Sequence, residues 1–367
     1  MSRRAWLGQI DYGLVGLVLL LSGLGLVVLW SAGHGPDGEV AGYAARQLRW
    51  MAVGVAAMLA ALALDYRYLD KWAVAVYLVH LMLLAGVLLA GKTSMGAQRW
   101  ILVGGLRFQP SEFMKIAMAV MAAHLLSRET TPPPYGALQI WKPVLAALVP
   151  AGMILLQPDL GTAVLVACVG GTAVVFHGLR LRLLAGLGLG GLALVPLGWG
   201  FLHDYQRQRI LTFLNPERDP LGAGYHIIQS KIAVGSGQVL GKGFLQGTQV
   251  RLQFLPERHT DFIFSVLGEE WGLVGCGTVL FLYALLILWG IDIAAKARDA
   301  FGRLLALGVT SILFFHVAVN VGMVSGLLPV VGVPLPLFSY GGSSVLTTYV
   351  IVGILLSVRA RRFSRGL

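Results

Sequence analysis

Residues 11–32 read DYGLVGLVLLLSGLGLVVLWSA. Past Asp11 the stretch carries no charged side chain, and as a helix it is about 32 Å long, enough to cross a hydrocarbon core of roughly 30 Å. It is too long for the apolar core of a signal peptide, and MSRRAWLGQIDYG, which opens the chain and leads into it, offers no clear cleavage signal. It is therefore read as a first membrane span.

The same texture recurs along the chain. Of 367 residues, 57% are hydrophobic and 12% charged, and the mean hydropathy is +0.76. Ten spans are predicted, over 11–32, 47–64, 72–91, 110–126, 140–157, 160–177, 183–202, 262–291, 304–327 and 340–358. They leave no room for a large soluble domain. The expected fold is an all-α integral membrane protein, a single polytopic domain over residues 1–367. Gly186 and Gly190 stand four apart among 48 glycines scattered through these spans, and close helix packing is the expected reason for most of them. Cys168 and Cys276 both lie in apolar runs, as small buried hydrophobes rather than as a disulfide or metal site.

A net charge of +11 invites a nucleic-acid reading, but its placement is topological. With the N-terminus inside, and with Lys142 and Arg49 near span ends counted with the adjoining segments, the inner segments hold fifteen basic residues and the short outer ones five. That bias places both termini in the cytoplasm. One long segment, 203–261, then lies outside. Within it, residues 224–238 are expected to form an amphipathic helix against the outer face of the bilayer. Residues 96–112 are a medium outer loop able to form a short hairpin.

Two nucleotide-binding patterns fail. GVLLAGKT (Gly86 to Thr93) satisfies the spacing of a phosphate-binding loop, yet such a loop needs a strand before it and a helix after it. GSGQVLGKG (235–243) lacks both the first glycine and the final Ser or Thr.

Ionisable residues at or within spans say more, because a charge there costs several kcal/mol unless paired or wetted. Glu112 and Lys115 are three apart on the fourth helix. They read either as a helix start, with Ser111 as N-cap and Lys115 snorkelling, or as an ion pair facing a water-filled cavity. Asp159, in QPDLGTA, either caps the sixth helix or faces the same cavity. His316 and Asn320, four apart in the ninth span, are expected to make interhelical hydrogen bonds. In LPERHTDFIF (255–264), Asp261 opens the eighth helix, where a cap is the simplest role. A cap does not require Glu257, Arg258 and His259 beside it. A carboxylate at an apolar boundary among cations suits a general base that takes a proton from a hydroxyl.

At the C-terminal end stands NVGMVSGLLPVVGVPLPLFSYGGSS, Asn320 to Ser344. Position for position it resembles the signature of the SEDS family of bacterial shape, elongation, division and sporulation proteins. GAQRW, QPSEFMK, QPDLGTA, GYHIIQSKIAVGSG and LPERHTDFIFSVLGEE resemble blocks of the same family, so the similarity covers essentially the whole chain. GKGFLQGTQ and the ERHTD form are most similar to its elongation branch. GSGQVLGKG departs where a second glycine would be common after GSG.

The resemblance implies ten helices around a cavity open to the outer leaflet. It implies peptidoglycan glycosyltransfer: lipid II, a lipid-linked disaccharide-pentapeptide, is polymerised into glycan on the outer face of the cytoplasmic membrane during elongation and shape maintenance. The implied partner is a class B penicillin-binding protein that supplies the transpeptidase. The family's essential acidic residue falls on Asp261, its acid–base pair on Glu112 and Lys115, and the acidic residue after its fifth span on Asp159. A sugar 4-hydroxyl then attacks a donor whose lipid pyrophosphate leaves. Arg209, Lys242, Arg258 and Lys115 are candidate cations for that pyrophosphate, with His259 alongside. No cofactor is expected; a divalent cation could assist, but no dedicated cage is legible. Two rival readings are a lipid II flippase, which would need ionisable residues through mid-membrane, and a non-catalytic scaffold for wall enzymes.

Overall fold

The computed structural model describes residues 10–34, 42–94, 97–103, 106–200, 204–219 and 222–362. Among them are thirteen α-helices and three short strands. The long helices are α1 (Tyr12–Ala32), α2 (Tyr43–Ala63), α3 (Arg67–Ala90), α4 (Pro110–Ser127), α5 (Ala137–Leu156), α6 (Leu160–Gly178), α7 (Leu181–Trp199), α11 (Ile263–Ala295), α12 (Ala300–Val324) and α13 (Gly342–Ala360). Each falls on one predicted interval. Seven of them, α1, α3, α5, α6, α11, α12 and α13, are long and apolar enough to cross a membrane by length and composition.

Local chemistry sets the ends. Asp11 caps α1 by accepting from the Leu14 amide at 3.2 Å, and Asp299 caps α12 by accepting from Gly302 at 2.7 Å. Pro110 occupies the first turn of α4, where its missing N–H costs nothing. α4 is buried along most of its length and packs against α3, α5, α6 and α12, while α13 runs along α2. α1 closes on the segment before α13 at Gly25, where a Cβ would stand 2.5 Å from the Leu337 carbonyl oxygen. A Cβ added at Gly186 or Gly190, by contrast, would meet no described atom within 4 Å beyond its own stretch of helix. Among the described residues, those two glycines make no close helix contact.

The medium loop is a three-stranded antiparallel sheet, β1 (Lys92–Ser94), β2 (Ala97–Val103) and β3 (Leu106–Phe108). GVLLAGKT therefore runs from the end of α3 into β1, the reverse of the strand-to-helix order a phosphate loop requires.

The long segment holds α8 (Asp204–Leu214), a 3₁₀ turn at Pro216–Arg218, α9 (Ala223–Ser236) and α10 (Thr248–Arg251). α9 is the expected amphipathic helix, but its apolar face meets protein. Ile227, Ser230 and Ala233 are buried against α11 and α12, and Ser230 Oγ donates to the Val324 carbonyl at 2.7 Å.

The eighth predicted span is not one continuous helix. At Gly272 the backbone of α11 turns to φ +61°, a conformation glycine tolerates and other residues resist. The break leaves carbonyls free above it and amides free below it, and residues 238–243 take both. Lys242 and Gly243 amides donate to Glu269 and Glu270 carbonyls at 3.0 Å each. Leu273 and Val274 amides donate to Gln238 and Val239 carbonyls at 2.8 and 3.1 Å. Two glycines of GSGQVLGKG are explained here: a Cβ on Gly237 would lie 1.9 Å from the Gly268 carbonyl oxygen, and one on Gly241 2.1 Å from that of Glu270. Below the break, Leu273–Ala295 is about 34 Å long, a full crossing on its own.

Candidate functional site

Asp261 sits in the turn before α11. It does not cap that helix: the residue at the cap is Phe262, with no side-chain hydrogen bond. Three successive carbonyls of this turn are gripped by the segment between α12 and α13 and by α12 itself. The Tyr340 amide donates to His259 O at 2.8 Å. Ser339 Oγ donates to Thr260 O at 2.5 Å, and Asn320 Nδ2 donates to Asp261 O at 3.0 Å. Gln47 of α2 in turn donates to Ser339 O at 3.0 Å. From the other side, Arg258 Nε donates to the Ala32 carbonyl ending α1, at 2.8 Å.

The carboxylate itself is half-buried and accepts no hydrogen bond among the described residues. It lies over Gly332, where a Cβ would be 3.4 Å from Asp261 Oδ2. Burial, with the Glu257 carboxylate adding to it, pushes its pKa up from 3.8 to about 6, against the pull of Arg209 and Arg99. Asp159 acts with Glu257. The site thus brings two cations and two further carboxylates within electrostatic reach of Asp261.

Asp159 is the N-cap of α6, accepting from the Thr162 amide at 3.2 Å and from Thr162 Oγ1 at 2.9 Å. It is also 3.5 Å from Arg99 Nε, and Arg99 Nη2 donates to Pro158 O at 2.8 Å. Of the two readings of Asp159 the cap is present, and Arg99 is its charged neighbour.

His259 stacks on Tyr43, centroids 4.2 Å apart, and lies 3.9 Å from Glu257. Burial holds its pKa below 6.5. Arg46 lies over Tyr43 and Tyr340, at 5.0 and 5.7 Å from the ring centres.

Lys242 already has partners. Its ammonium donates to Glu269 Oε1 at 2.7 Å and to Thr248 Oγ1 at 2.8 Å. Glu269 is fully buried and also accepts from the Gln249 amide. Lys242 thus neutralises a buried carboxylate beside the break in α11. Next to Glu269, Glu270 accepts from Ser31 Oγ of α1.

Glu112 and Lys115 are an ion pair at 2.7 Å, 4% and 0% exposed. Neither the Ser111 cap nor the snorkelling Lys115 is present, since Gln109 stands at the cap. Lys115 Nζ is also 2.5 Å from His316 Nε2, the interhelical contact foreseen for His316. Arg99, Ser339 and Gln47 escaped sequence reasoning. Arg99 sits in an outer loop where a basic residue is ordinary, and the other two act on backbone carbonyls that leave no mark in a sequence. Among the described residues no group of three or more His, Cys, Asp or Glu side chains is placed to hold a metal ion.

Residues 12–363 match the profile of the FtsW/RodA/SpoVE family, described as cell cycle proteins. The chain is 46% identical over 355 residues to the peptidoglycan glycosyltransferase MrdB of Escherichia coli K12, covering 96% of this chain and 94% of that one. It is 34% identical over 425 residues to the peptidoglycan glycosyltransferase RodA of Treponema pallidum, covering 96% and 98%. A chain solved in a study of structural coordination of polymerization and crosslinking by a peptidoglycan synthase complex superposes with a TM-score of 0.83, at 35% identity and covering 97% and 99%. The Thermus thermophilus rod shape determining protein RodA gives 0.72, at 32% identity and covering 97% and 98%. The fold, the motif blocks and this identity along nearly the whole chain make the protein a member of the FtsW/RodA/SpoVE family, the SEDS proteins.

Proposed function

We propose that the protein is a peptidoglycan glycosyltransferase that polymerises lipid II into glycan strands during cell elongation, with Asp261 as general base. Asp261 carries the reading. It is a carboxylate raised to about 6, free of hydrogen bonds among the described residues, on a turn whose carbonyls are clamped. A base of that pKa is ionised at neutral pH yet basic enough to take a proton. The 4-hydroxyl oxygen of the acceptor sugar bonds to the donor's anomeric carbon. The bond from that carbon to the pyrophosphate oxygen breaks, the lipid pyrophosphate leaves with the electron pair, and the hydroxyl proton passes to Asp261. Arg209 and Arg99 are the cations assigned to the pyrophosphate, since both already act on Asp261.

The chain is assigned ten spans as one domain in the cytoplasmic membrane, both termini inside and the 203–261 segment outside. The basic bias of the inner segments supports that orientation. A class B penicillin-binding protein is the assigned partner, supported by the synthase complex in which a similar chain was solved. The test is glycan polymerisation from purified lipid II by the protein reconstituted with that partner. Product from the wild type and none from Asp261→Asn is expected. Equal product from both would sink the base assignment, and lipid flipping without product would favour transport.

A further inference from the structure

His316 and Asn320 stand one turn apart on α12 and hold consecutive carbonyls of the extended segment that precedes α13. His316 Nδ1 is 3.0 Å from Pro334 O, and Asn320 Nδ2 donates to Val333 O at 2.8 Å as well as to Asp261 O at 3.0 Å. A carbonyl only accepts, so the His316 proton is on Nδ1 and the Nε2 lone pair receives a hydrogen from Lys115, 2.5 Å away. Both Asn320 amide hydrogens are likewise spoken for, which fixes its orientation and leaves its buried Oδ1 without a partner. Gly332, the residue over which the Asp261 carboxylate lies, opens the same segment. The groups from Glu112 through Lys115, His316 and residues 332–334 to Asp261 are all buried or half-buried, and the last step is the approach of Asp261 Oδ2 to the open side of Gly332.

We propose that His316 and Asn320 are positioning residues for glycosyl transfer, His316 coupling the buried Glu112–Lys115 pair to the placement of the Asp261 carboxylate. The inference rests on the proposed role of Asp261. It adds that the ion pair acts on the reaction through His316 rather than by touching the substrate.

The test is steady-state polymerisation of lipid II by the reconstituted protein with its partner, comparing wild type, His316→Leu, His316→Gln, Lys115→Met and the double variant His316→Leu/Lys115→Met. A displaced catalytic group costs on the order of 10²-fold per ångström. His316→Leu is therefore expected to lower kcat by about 10- to 100-fold with KM little changed. Gln offers one donor and one acceptor and should restore much of kcat. The double variant should be no slower than the slower single one, because both cut the same chain. Wild-type kcat in His316→Leu, a loss expressed in KM alone, or multiplicative effects in the double variant would each overturn the proposal. An active wild type beside an equally active Asp261→Asn would instead overturn the base assignment, and so separates the two failures.

Discussion

The pH dependence of polymerisation is the sharpest consequence of the site. With its pKa at about 6, Asp261 is about 10% ionised at pH 5 and about 90% at pH 7. If the ionised carboxylate takes the proton, kcat/KM should rise about tenfold between those values and level off above pH 7. An unperturbed aspartate at 3.8 would already be about 94% ionised at pH 5, and the profile would be nearly flat across this range. The neighbours give signed controls. Glu257 raises the Asp261 pKa, so Glu257→Gln should move the rising limb to lower pH. Arg209 lowers it, so Arg209→Ala should move the limb to higher pH, whatever it also does to the maximal rate. Initial rates from lipid II in vesicles between pH 4.5 and 8, with the same partner preparation throughout, provide the measurement. A wild-type profile flat from pH 5 to 7, or a limb that stays in place in Glu257→Gln, would refute the assignment of this titration to Asp261.

Two further outcomes test the frame. Gly272→Ala forces a Cβ to 2.4 Å from the Gly241 amide nitrogen at φ +61° and should cost about 2–4 kcal/mol. It should melt in detergent well below Gly277→Ala, whose Cβ would meet nothing within 4 Å; equal melting would remove the break from the account of stability. Lys115→Met leaves Glu112 buried without its cation and should cost about 3–5 kcal/mol, most of it recovered by Glu112→Leu in the same chain. A single variant that melts like the wild type would mean that the pair is wetted.

The helices were legible because span length is a one-dimensional property: an apolar run either reaches across or does not. All ten predicted intervals landed on helices, seven of them long and apolar enough to cross a membrane by length and composition. The turn inside α11 was not legible, since one more glycine in a glycine-rich greasy run says nothing about its φ. Charges out of place pointed to Asp261, Asp159, Glu112 and Lys115, because an ionisable group near lipid needs a reason. What holds them was harder to see. Arg99 meets Asp159 from a loop some sixty residues earlier in the chain, and Ser339 and Asn320 work through main-chain oxygens. The partner of Lys242 was hidden too, since its counter-charge, Glu269, lies inside a predicted span.

The junction between residues 238–243 and α11 also constrains how the protein is made. Residues 238–243 leave the ribosome before Leu273 and Val274, whose amides they receive. Without them, two amides and two carbonyls of the helix would be left bare, at several kcal/mol for each that met hydrocarbon. In the proposed orientation the acceptors reach their place only after the 203–261 segment has crossed the bilayer. Insertion of this helix at its final depth therefore waits on export of the segment before it, and a chain whose loop stalled inside would carry an unfinished helix for quality-control proteases to find.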